Sequence, residues 1–213
     1  MRLLRFASVL LVSSPILASA AGFSFTFDSD AQGWTKGNFG STFATINTNS
    51  NGPATWSAGE IAGTDHSAYA YHFSPNLGGG HGVMFDTNLQ FDFRSANMGG
   101  ADPLVVLMSS TAFIVLEQLV TPSTTMDHYT IRLNNSLDWY YNSSEYYNGG
   151  SAVLASNAQI QSVLNDLQYI GISTDIAGGA DNTHLDNVMA VPEPGTMLAL
   201  SLGAVALIRR RRA

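Results

Sequence analysis

The chain of 213 residues contains no cysteine. An exported protein built this way has no disulfide framework, and the roughly 170 residues between its two ends are enough to bury a core without one. Basic residues are almost as scarce. Of nine Lys and Arg, six lie at the extreme ends (Arg2, Arg5, Arg209, Arg210, Arg211, Arg212), leaving Lys36, Arg94 and Arg132 in between. Three cations against sixteen Asp and Glu give residues 21–194 a net charge of −13, which excludes nucleic acid and anionic lipid as partners. Catalytic signatures are missing as well. There is no Gly-x-Ser-x-Gly elbow, no His-Glu-x-x-His and no glycine-rich phosphate loop, and His66, His72, His81, His128 and His184 lack zinc-ligand spacing. No enzyme is expected, although the many carboxylates leave a glycosidase pair open. No repeat of fixed length is present.

The two ends carry addresses. Residues 1–20 combine Arg2 and Arg5, an apolar stretch from Phe6 to Leu17, and Ala18-Ser19-Ala20 before Ala21, the pattern of a cleaved secretory signal peptide. Residues 191–213 read VPEPGTMLALSLGAVALIRRRRA: an extended Pro192-Glu193-Pro194, an uncharged run from Gly195 to Ile208, and four arginines, Arg209 to Arg212. As a helix the run 195–208 covers roughly 21 Å, short of the roughly 30 Å hydrocarbon core. It therefore spans only with bilayer thinning and with the arginine side chains reaching the interface. The arginine cluster fixes the orientation, cytoplasmic at the C-terminus with the bulk of the chain on the other side.

Those three blocks in that order resemble the PEP-CTERM sorting signal of Gram-negative bacteria. The resemblance covers 23 residues and implies recognition at Pro192, Glu193 and Pro194 by an exosortase, a membrane-embedded cysteine transpeptidase-like enzyme that cuts near the motif. It implies export across the inner membrane, transient anchoring by a transmembrane helix over 195–208, and final residence at the cell surface or outside it, in bacteria that make exopolysaccharide. The alternative is a plain C-terminal anchor behind a proline linker.

Between the ends, composition and periodicity favour strands. Phe23, Phe25 and Phe27 alternate with polar or small residues, as do Tyr69, Tyr71 and Phe73, then Leu89, Phe91 and Phe93, and later Tyr129, Ile131 and Leu133. Continuous apolar runs at Leu104 to Met108 and Ala112 to Leu116, split by Ser109-Ser110-Thr111, predict a hairpin of deeply buried strands. One helix is predicted, with Ser156 and Gln159 as a capping box and a stripe of Ile160, Val163, Leu164 and Leu167. A strand over Tyr169 to Ile176 and a last one at Leu185-Asp186-Asn187-Val188 follow. The expectation is one all-β domain over 21–190, a jelly-roll-like antiparallel β-sandwich with one short helix, flanked by the signal peptide and the transmembrane helix.

The order of features resembles the laminin B (laminin IV) domain. The resemblance rests on Phe27-Asp28-Ser29-Asp30-Ala31-Gln32-Gly33-Trp34, on Tyr69-Ala70-Tyr71-His72-Phe73-Ser74-Pro75 before a glycine loop, on Tyr129-Thr130-Ile131-Arg132-Leu133 with Trp139 following, and on the closing helix, strand and Leu185–Val188. It implies a sandwich related in shape to carbohydrate-binding modules. The cysteines of neighbouring animal laminin modules are absent, so no network-forming role is carried over.

Two binding sites are candidates. Asp28-x-Asp30-x-Gln32-Gly33 imitates the start of an EF-hand loop, but Phe39 stands where the closing Glu belongs. If the first and last strands are neighbours, Asp28 or Asp30 could instead join Asp186 around a Ca²⁺; the competing reading is an Asx turn at Asp28–Asp30 and a bulge at Asp186-Asn187. The second candidate is the aromatic run Trp139, Tyr140, Tyr141, Tyr146 and Tyr147 around Asn142-Ser143-Ser144-Glu145, which could stack on sugar faces or fill the core. The functional expectation is an exported, processed, non-enzymatic protein of the envelope or extracellular matrix, associated with exopolysaccharide or biofilm. A carbohydrate-binding module is the alternative, and an uncharacterised hydrolase the third.

Overall fold

The computed structural model describes residues 22–38, 52–64, 70–96, 104–116, 123–141, 153–174 and 181–191. They form two six-stranded antiparallel sheets and one helix. The first sheet holds β3 (Thr55–Ser57), β4 (Glu60–Thr64), β12 (Asn182–Ala190), β6 (Asn88–Ser95) and β9 (Asp127–Arg132) in that order, and β1 (Phe23–Phe25) pairs with β12. The second runs β10 (Trp139–Tyr141), β8 (Phe113–Leu116), β7 (Val105–Ser109), β11 (Leu167–Ser173), β5 (Ala70–Phe73) and β2 (Thr35–Asn38). The chain crosses between sheets repeatedly, so neighbours in a sheet are mostly distant in sequence.

The strand periodicity is clearest in β6, where Leu89, Phe91 and Phe93 are buried between half-buried Asn88, Gln90, Asp92 and Arg94. These inward residues, with Ile61, Leu185 and Ile131 of the same sheet and Leu107, Ile114 and Ile170 of the other, form the inter-sheet core together with Trp34 and Trp139. The expected hairpin is β7–β8, closed where the Ser109 hydroxyl accepts from Ala112 N at 2.9 Å. Its strands are buried on both faces. Val106, Met108, Phe113 and Val115 turn away from the inter-sheet core into a second apolar cluster with Tyr71 and Phe73.

The helix, α1 (Asn157–Asn165), has the expected capping box: Ser156 accepts from Gln159 N, and the Gln159 side chain accepts from Ser156 N at 2.9 Å. Ile160, Val163 and Leu164 face the core, but Leu167 is a strand residue rather than the end of the helical stripe. Asp166 caps the helix, and its carboxylate binds the Ser110 hydroxyl and backbone N–H at the β7–β8 turn, so β11 starts two residues earlier than the sequence suggests. The last strand is longer than expected, at both ends of Leu185–Val188. Phe27 lies outside β1 with a positive φ of 49° yet is buried, edge-to-face on Trp34. Among the described residues no helix is long and apolar enough to cross a membrane; the signal peptide and the run 195–208 lie outside them.

Candidate functional site: the outer face of the first sheet

Because Leu89, Phe91 and Phe93 point inward, Gln90, Asp92 and Arg94 must point outward, and the same alternation turns His184 and Asp186 of β12, His128 of β9 and Glu60 of β4 to the same side. The result is a polar face rich in titratable groups. Asp186 and Asp92 are directly opposed across β12 and β6, an arrangement that ordinarily destabilises a sheet. Asn187 reconciles them: its amide donates to Asp92 Oδ2 at 2.7 Å and to Asp186 Oδ2 at 3.0 Å. On the far side His128 Nδ1 is 2.7 Å from Asp92 Oδ1.

The backbone explains why these groups meet. β12 pairs with β4 through Asn182–Leu185 and with β1 through Val188–Ala190, so its partner changes at Asp186-Asn187. There the register with β6 shifts and Asn187 takes a φ of +51°. The first and last strands are therefore neighbours, the bulge lies where it was expected, and Asp28 and Glu60 flank it. Burial, followed by the charges of Asp92, Glu60 and Asp28, holds the Asp186 carboxyl above the usual carboxylate range. Asp30 turns to its own loop, accepting from Gln32 N at 2.7 Å in an Asx turn, and Asp28 accepts from the Thr26 hydroxyl at 2.6 Å. Asp28 and Asp186 thus share one neighbourhood. Among the described residues no three His, Asp or Glu side chains form a metal-ligating group.

Of the aromatic run, Trp139 is a core ring, wholly enclosed, with Nε1 donating to Arg132 O at 3.2 Å. Tyr140 packs toward the second apolar cluster and Tyr141 toward the inter-sheet core, both half-buried, as alternation along β10 requires. Tyr146 and Tyr147 lie outside the described residues, as do Pro192, Glu193, Pro194 and Arg209 to Arg212. Glu60, Asp92, Arg94 and His128 were not among the sequence candidates. The polar positions of the β6 alternation were the available signal; which strands lie beside them was not.

At the Arg94 end of this face, Arg94 Nη2 donates to Glu60 Oε2 at 3.0 Å, and His184 Nδ1 lies 2.7 Å from the same oxygen. The His184 contact is close but off the hydrogen-bonding direction, an electrostatic approach rather than a hydrogen bond. Beside it is a polar cavity of about 230 Å³ lined by Arg94, Ser95, Ala96, Thr124, Asn182 and His184.

A two-sheet sandwich with this topology is the class shared with the L4b domain of human laminin alpha-2. Against that structure the TM-score is 0.58 at 12% sequence identity, covering 80% of this chain and 97% of that domain, and the likeness is one of fold. Residues 190–212 match the PEP-CTERM protein-sorting motif, which makes this an exported protein of the kind exosortases sort to the cell surface. Comparison with curated protein sequences gave no match.

Proposed function

We propose that the chain is a non-enzymatic, polysaccharide-associated module of the cell envelope or extracellular matrix, held briefly in the membrane and then cut free of its tail. The observation that carries this reading is the junction between domain and signal. The last strand ends at Ala190, and the matched sorting motif begins there. Cleavage near Pro192-Glu193-Pro194 would leave all twelve strands of the described residues on the released side. The repeated crossing of the chain between sheets supports a jelly-roll-like assignment of the sandwich. Replacing Pro192, Glu193 and Pro194 with alanine removes the extended segment next to the apolar run. The variant should accumulate uncut in the membrane, and release of correctly trimmed product, seen by mass spectrometry of the medium, would refute the processing step.

The lectin-like alternative is supported less by the aromatic run, since Trp139 is enclosed, than by the polar outer face with its cavity. Retention on immobilised polysaccharide without appearance of new reducing ends separates binding from hydrolysis.

A further inference from the structure

We infer that the cavity beside Arg94 is a subsite for one neutral sugar residue, a polymer chain end or a side branch. This rests on the polysaccharide reading above and gives it a location and a ligand class.

The cavity is built by backbone hydrogen bonds. Ser95 N–H donates to Ser123 C=O and Ala96 N–H to Asn182 C=O, both at 2.9 Å, fixing the end of β6 against the start of β12 and the segment before β9. Its lining is mainly polar: a guanidinium, an imidazole, a carboxamide and two hydroxyls, beside the methyl of Ala96. At about 230 Å³ it falls below the roughly 300 Å³ at which drug-sized pockets begin, which suits a single ring rather than an oligosaccharide.

Charge selects the class. Arg94 is already neutralised by Glu60, and that same carboxylate lies beside His184, so the cavity carries no uncompensated positive charge to draw an anion. The surrounding sandwich is strongly acidic and repels polyanions. What is left is hydrogen-bonding capacity. A guanidinium has five N–H groups in a planar fork, and Arg94, whose side chain is 36% exposed, commits one of its nitrogens, Nη2, to Glu60. The Asn182 carboxamide adds a second planar donor and acceptor, and Thr124 a hydroxyl that serves as either; both residues are exposed. Planar groups of this kind match adjacent hydroxyls on a sugar ring.

The test is affinity electrophoresis of the full chain in a polyoxyethylene detergent that contains no sugar, through gels cast with dextran, galactomannan, laminarin or alginate. At least one neutral polymer should retard the protein. Arg94→Met and Thr124→Trp should each weaken that retardation about tenfold or more, the scale of a hydrogen bond to a charged group, whereas Gln90→Thr on the same face should not. Thr124→Trp fills the cavity from an exposed position and leaves the Arg94–Glu60 pair intact, so its effect does not depend on Arg94 being structural. Retardation by a neutral polymer that both variants leave unchanged overturns the subsite while the polysaccharide reading stands. Retardation by alginate alone overturns the neutral class, and retardation by none of the four polymers overturns both.

Discussion

The two sheets are alike in strand number and opposite in how they are used. The second is buried on both faces in β5, β7 and β8, whereas the first has one apolar face and one outer face of Glu60, Asp92, Arg94, His128, His184 and Asp186. A strand buried twice has no freedom to carry chemistry, because every side chain is needed for packing. The first sheet can keep an opposed Asp92–Asp186 pair and a partner change in its last strand, since solvent lies on one side. The second sheet is therefore packed as scaffold, and the polar, titratable face belongs to the first.

Substitutions placed on the two outer faces should break this asymmetry or confirm it. Val106→Asp puts an unpaired carboxylate into the second apolar cluster and should abolish cooperative unfolding or cost several kcal/mol, while Gln90→Thr should stay within about 0.5 kcal/mol. Equal effects of the two in chemical denaturation would mean the sheets are not differently used. The next effect concerns a tight contact across the sandwich at Gly63. A Cβ on Gly63 of the first sheet would lie 2.7 Å from His72 Nε2 of the second and 2.8 Å from Cγ2 of Thr174, just beyond β11, so Gly63→Ala should cost about 1–3 kcal/mol. An unchanged denaturation midpoint would show that this contact yields freely.

A smaller loss, about 1 kcal/mol, is expected for Ser156→Ala, which removes the cap of the helix that packs on β7 and β8. The smallest effect is on the first sheet's outer face and depends on pH. A raised Asp186 pKa means that the folded state holds this proton more tightly than the unfolded one. The resulting stabilisation is complete below the unfolded value of 3.8 and is lost as pH rises through the folded pKa. Asp186→Asn should therefore be more stable than the wild type near neutral pH, by less than about 1 kcal/mol at this partly exposed position, with the advantage vanishing as pH falls toward 3.8. Millimolar Ca²⁺ should leave the wild-type midpoint in place, given the Asx turn that occupies Asp30. A calcium-dependent rise that Asp186→Asn removes would instead establish the Asp28–Asp186 neighbourhood as a cation site.

Much of this protein follows from local pattern. Alternation in Leu89–Phe93, the double apolar run of the β7–β8 hairpin and the Ser156–Gln159 box depend on neighbours within a few residues, and each takes the form that pattern dictates. The sorting signal is local as well, since order and spacing along the chain define it, and residues 190–212 match it. What local pattern could not decide was pairing between distant segments. Leu167 suits the stripe of a helix, but Asp166 ends the helix by binding Ser110, 56 positions away in sequence. Trp139, in a polar aromatic run, reads equally as a surface ring until β10 pairs with β8 and directs it inward. The outer face is the extreme case: β12 brings Asp186 opposite Asp92 and His184 opposite Arg94, residues about ninety positions apart. Sequence fixes which side of its own strand a residue occupies, because that follows from a two-residue period. Which strand lies beside it is set by packing the whole core at once, and that choice alone assembled the charged face and the cavity at its edge.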